Sequence, residues 1–205
     1  MPDRLRPLWD FGDVDASEAR LRAQLAREES DVGRAEVLTQ LARVHSLRDE
    51  FDACEGLLQQ AETLGGGDEL VGVRIELERG RKLRSSGDGA AAAPVFESAF
   101  GRACRGGEYW FAGDAAHMVA ISVPAKIVEW TERGLELAGS QADAAYWAGP
   151  LLNNLGWHYF EAGDYQRALD VFERALEVRK RDPDNPQAIV WAEEAIDETR
   201  RALAG

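Results

Sequence analysis

NNLGWHYFEAGDYQRALDVFERAL, residues 153–176, sets Gly, Ala and aromatic residues at fixed offsets and is broken once, at Gly163-Asp164. Leu152, Leu155 and Tyr159 make one apolar stripe before the break, and Ala168, Leu169, Phe172, Ala175 and Leu176 make another after it. Spacings of three and four residues on both sides predict two amphipathic helices joined by a short polar turn. A glycine inside a helix costs about 1 kcal/mol relative to alanine, so Gly156 needs a compensating reason. Close crossing of the two helices supplies one: with no side chain at Gly156, the Phe172 ring can fill the angle between them.

The stretch has copies. Shifted by 76 residues, 80–99 falls on 156–175 with Gly80, Gly87, Asp88, Ala92, Val95, Phe96, Glu97 and Ala99 identical to their counterparts. Those are eight positions of twenty, where chance gives about two. Leu38, Leu41, Ala42, Phe51, Leu58 and Ala61 keep the frame in size and polarity, and a fainter copy contains Ala115 and Gly134. The small reference residue recurs at 42, 80, 115 and 156. Periods of 35 to 41 residues indicate a solenoid of stacked helix pairs.

The L-x-x-L-G-x-x-Y run of 152–159, followed by Ala168, Phe172 and Ala175, resembles the tetratricopeptide repeat, with Leu152 where that family usually has Trp. The long spacings and the LLNNLG start look like the extended-helix variety seen in kinesin light chains and many bacterial sensors. LWDF…SEARLRA joined to the repeats also resembles a group of stand-alone bacterial repeat proteins.

The resemblance implies an all-α, right-handed superhelical solenoid of antiparallel helix pairs, about ten helices in five pairs. It is expected as one domain over 1–205, with a capping segment at 1–33, four repeats at 34–181 and a capping helix at 182–205.

Atypical flanks are expected because a solenoid must cover its ends. Asp15 and Glu18 are placed to form a capping box for a helix with Leu21 and Leu25 inward, and Trp9 and Phe11 are expected across its end. After Pro186 a last helix should turn Ile189, Ala192, Ile196 and Leu203 inward. Pro94 is expected in the first turns of its helix, Pro124 at a helix start and Pro150 at a bend. LGGGDE at 64–69 reads as an inter-repeat turn, lacking the Lys and Ser or Thr of a phosphate loop.

Composition narrows the function classes. The chain has 205 residues, 45% hydrophobic and 30% charged, with a net charge of −13, so no overall basic footprint invites nucleic acid. No apolar run nears the roughly 18 residues of a membrane span, and no secretory signal is legible, so a cytosolic protein is expected. Cys54 and Cys104 lack metal or disulfide spacing and are expected as reduced structural thiols. His45, His117 and His158 fall in separate units with no H-E-x-x-H pair, and Ser85-Ser86-Gly87 only closes a helix. Glu193-Glu194 and Asp182 with Asp184 are paired acids in polar contexts. Neither metal nor cofactor nor catalysis is expected.

By the family frame, first helices line a concave groove. The frame assigns to it Thr39, Gln40 and Arg43, then Arg74, Leu77, Arg81 and Arg84, then Tyr109 and Ala112, then Asn153, Trp157 and Phe160. Four arginines on a strongly acidic chain suggest a groove for an acidic or carboxylate-bearing peptide, with Arg43, Arg74, Arg81, Arg84, Asn153 and Trp157 as contacts. The alternative is an ordinary solvated face in which the arginines pair with Glu76, Glu78 or other acids. Lysine is absent except for Lys82 at the margin, so the lysine-based carboxylate clamp of chaperone-binding relatives is not carried over.

The expected function is a non-enzymatic scaffold or regulator that takes a partner's peptide or helix in the groove. Two other readings stay open: a regulatory subunit sensing a ligand or signal peptide, marked by buried polar groups in a closed pocket, and a structural protein that self-associates as a homodimer.

Overall fold

Two of the turns between paired helices share one local device. Gly87 (φ +93°) and Gly163 (φ +76°) adopt the left-handed conformation that ends a helix, and the aspartate that follows caps the next one. Asp88 accepts from the backbone N–H of Ala91 at 2.9 Å and Asp164 from that of Arg167 at 3.2 Å. Such caps are worth about 1 kcal/mol each.

The structure is a computed structural model that describes residues 3–65, 67–181 and 185–205. The described residues form ten α-helices and no strand. A one-turn 3-10 segment, Arg6–Leu8, precedes α1 (Val14–Leu25). Four antiparallel pairs follow: α2 (Asp31–Leu47) with α3 (Phe51–Gly65), α4 (Glu69–Ser85) with α5 (Gly89–Gly106), α6 (Tyr109–Ser122) with α7 (Ile127–Ser140), and α8 (Ala148–Glu161) with α9 (Tyr165–Arg179). The last helix is α10 (Pro186–Ala204). Ten helices thus make four pairs with a single helix at each end, not five pairs, because α1 packs on α2 and α10 on α9.

The glycine–phenylalanine contact is present in both strong repeats. A methyl on Gly80 would stand 2.5 Å from Cε1 of Phe96, and one on Gly156 would collide in the same way with Phe172. Both rings are fully buried. In the faint third unit Gly134 of α7 leaves room for Leu151 of α8, an approach to the next pair rather than within its own.

Several local expectations are corrected. Asp13, not Asp15, caps α1, accepting from Ala16 N–H at 2.9 Å; Asp15 and Glu18 instead bind Arg48, just past the end of α2. Pro150 is the third residue of α8, where its missing N–H costs nothing, so no bend is required. Pro124 opens a 3-10 turn ahead of α7, and Pro94 falls in the second turn of α5. In α10, Ala188, Ala192, Ala195, Ile196 and Thr199 face the core, whereas Leu203 is 43% exposed. The 64–69 turn is confirmed on either side of Gly66, which, like Asp182 and Asp184, lies outside the described residues.

Candidate functional site

On α4, Arg74, Leu77 and Arg81 are three and four residues apart and share one face. The same spacing aligns Glu36, Gln40 and Arg43 on α2, and Trp110, Asp114 and His117 on α6. Gln40, Arg43, Arg74, Leu77 and Arg81 line the wall that the sequence assigns to the groove, but Thr39, Tyr109 and Ala112 do not, and on α6 Trp110, Asp114 and His117 take that place. Across it runs the segment before α1. Asp3 binds Arg74, Arg4 binds Glu36 at 3.1 Å and Glu28 at 2.7 Å, and Leu5 is buried. The Arg6 guanidinium lies 4.4 Å from the Tyr146 ring centre and 5.2 Å from that of Trp110. The Trp9 indole donates to Gln40 Oε1 at 2.9 Å. Trp9 and Phe11 are therefore not across the end of α1; they stack on each other and flank Arg43, 5.3 and 5.1 Å from its guanidinium carbon.

The arginines beneath this roof are committed. Arg74, 2% exposed, pairs with Asp3 and with Glu36 at 3.2 Å. Arg81 holds Glu78 at 2.6 Å and Asp114 at 2.5 Å. Burial works against the Arg81 charge, but Asp114 and Glu78 more than offset it and strengthen its hold on the proton. Burial raises the Glu78 carboxyl, despite the opposing pull of Arg81 and Arg43. Burial, aided by the positive charge of Arg81, weakens the Arg43 cation, which forms no ion pair among the described residues. The wall is thus a buried ionic network, neither a solvated face nor a row of open cations. Lys82 points away from it, to Glu55 of α3.

His117 accepts from Asn154 Nδ2 at 2.8 Å, and burial lowers its pKa to about 4. The unfolded chain takes up a proton below the ordinary value of 6.5 and the folded chain does not. Stability therefore falls as pH drops from that value towards 4, by about 2 kcal/mol between neutrality and pH ~5. Urea denaturation across this range should show His117→Gln with a flatter profile than the parent chain.

Of the six residues assigned as contacts, Arg43, Arg74 and Arg81 converge under the roof, and Arg84 is exposed at the end of α4. Asn153 and Trp157 lie elsewhere, in an open cleft of about 1500 Å³ lined by α8, α9 and α10 and also by His117, Leu135, Ala138 and Tyr146. The cleft exists because α10 packs on α9 without comparable packing on α8. Trp157 sets its edge against Phe160 and Phe172, at ring-centre distances of 5.3 and 5.2 Å. Across from it, Trp191 of α10 is 55% exposed.

Sequence reasoning missed Asp3, Asp114 and Trp191 in these roles, because nothing periodic marks them. His45 is half-buried beside Glu50, a packing position as expected. The Cys54 thiol is pushed up to about 11 by burial, that of Cys104 is raised too, and neither is bonded to another cysteine.

Residues 149–182, the α8–α9 pair, match the family model described as the tetratricopeptide repeat. No curated protein matches the chain. The α8–α9 pair thus matches one tetratricopeptide repeat, and the α4–α5 pair shares its Gly–Phe nesting.

Proposed function

We propose that the chain is a non-enzymatic, cytosolic interaction scaffold or regulator that takes a partner's peptide or helix on its concave side. Tetratricopeptide repeats generally mediate contacts between proteins. The observation that carries the reading is the open α8–α10 cleft, where Trp157, Trp191 and Asn153 stand together at the matched repeat. Aromatic faces give contact area at little entropic cost, and an asparagine amide both donates to and accepts from a peptide backbone. A helix about 10–12 Å across is of the scale such a cleft admits.

The partner's charge follows from the rim. Asp170, Glu173, Glu177, Glu194 and Glu198 outnumber Arg174, Arg179 and Arg181. A partner with a basic flank fits this cleft better than the acidic one suggested by the arginines, which are spent on the roofed half. A net charge of −13 gives a nucleic-acid backbone no attraction, and no described helix is long and apolar enough to cross a membrane.

Peptides selected from a random display library should bind through this cleft. Trp157→Ala and Asn153→Ala are each expected to weaken the selected peptides at least about tenfold while the circular dichroism stays unchanged. Equal binding by both variants would remove the cleft as the site.

A further inference from the structure

Beneath the roof lies a cavity of about 230 Å³, walled by α2, α4, α6, Tyr146, Trp147 and Pro150, and the segment carrying Trp9 and Phe11. Folded proteins pair more than about 90% of their buried polar groups, so a cluster of unpaired ones is a signal. Eight buried side-chain atoms among the described residues have no hydrogen-bond partner in the protein, and six belong to residues lining this one cavity. They are Nε of Arg43, Arg74 and Arg81, Nε1 of Trp147, Nδ1 of His117 and Oε2 of Glu78.

Their polarity is lopsided. Arginine and indole nitrogens only donate. Asn154 Nδ2 donates to His117 Nε2, so the ring proton of the neutral imidazole sits on Nδ1. The residues lining the cavity therefore carry five unpaired donors against one unpaired acceptor, Glu78 Oε2. Water offers donors and acceptors alike and leaves that imbalance standing, whereas a carboxylate only accepts. Charge points the same way. Arg6, Arg43, Arg74 and Arg81 line the cavity against Asp3, Glu78 and Asp114, and among the described residues Arg43 forms no ion pair and meets the rings of Trp9 and Phe11. The volume lies below the roughly 300 Å³ at which drug-sized pockets begin, which excludes a peptide and suits a small molecule.

We propose that this cavity binds a small organic carboxylate, its anionic end taken by Arg43 and the indole and imidazole N–H groups, and a hydroxyl or ammonium group given to Glu78. The site adjoins the α8–α10 cleft, with which it shares His117, Tyr146 and Pro150, but its arginines and its roof are its own, so the proposal stands whether or not a peptide binds in the cleft. Residues 3–11 form its roof, and release of Asp3 from Arg74 and of Trp9 from Gln40 opens the way in.

The test uses the intact, 15N-labelled chain titrated with lactate, malate and serine, with inorganic phosphate and chloride as controls. The indole N–H resonance of Trp147 and the Nε–H of Arg43 should shift saturably with at least one of the three carboxylates. Arg43→Gln should weaken that binding at least about tenfold. Trp147→Phe, which keeps an aromatic side chain and loses the indole N–H, should weaken it several-fold and serves if the arginine variant does not fold. No saturable shift with any carboxylate would mean that ordered water alone fills the cavity. Equal affinity for phosphate or chloride would mean an adventitious ion only, and unchanged affinity in both variants would place the ligand elsewhere. Each of these three results overturns the proposal.

Discussion

Arg81→Met should cost the folded chain about 3–5 kcal/mol, measured as the loss of unfolding free energy in urea. Arg81 is the shared counter-ion of two carboxylates from different helices, Glu78 on its own α4 and Asp114 on α6, with side chains 2% and 11% exposed. Methionine fills similar space and cannot donate, so two carboxylates would be left in an apolar setting. Such groups take up protons more readily when folded than when unfolded, so the deficit should shrink as the pH is lowered towards 4. Arg84→Met, one turn further along and exposed, should change stability by no more than about 0.5 kcal/mol. Similar losses in both variants would mean that the network under the roof is not held by its ion pairs.

Phe172→Ala should destabilise by a comparable amount, about 3–5 kcal/mol, the range for removing a buried aromatic side chain. The ring is fully buried, meets Trp157 edge-on at 5.2 Å and packs with Ala168, Ala195 and Ile196. It therefore joins α9 to α8 on one side and to α10 on the other. Its loss should loosen the attachment of α10 as well as the α8–α9 pair, and the fluorescence of Trp157 should shift with it. Phe96→Ala tests the same device one repeat pair earlier, at Gly80. A loss below about 1 kcal/mol at both positions would show that the rings are not what holds the pairs together.

The repeat was legible because its determinants are local and recur. Gly156 and Phe172 are sixteen residues apart, Gly163 and Asp164 adjacent, and each arrangement reappears at Gly80, Phe96, Gly87 and Asp88. The arginine face of α4 was legible for the same reason, since a helix fixes which side chains share a side. What those arginines meet was not legible. Asp3 reaches Arg74 across 71 positions and Asp114 reaches Arg81 across 33, and no period relates them. The segment 3–11 has a single 3-10 turn, so its course is set by individual side chains finding individual partners. The separation of α10 from α8 is likewise a matter of how a terminal helix settles on its neighbour. That separation, invisible to periodicity, is what leaves Trp157 and Asn153 open while Arg43, Arg74 and Arg81 are covered.

The most direct test of the Gly–Phe nest is the sign of Gly156→Ala in two backgrounds, read from urea unfolding. In the parent chain the added methyl collides with the Phe172 ring, so the change should destabilise by about 1–3 kcal/mol despite alanine's better helix propensity. With Phe172→Ala already in place the collision is gone, and the same substitution should stabilise by up to about 1 kcal/mol. Stabilisation in both backgrounds would contradict the account, because the glycine would then be dispensable to the packing of the pair.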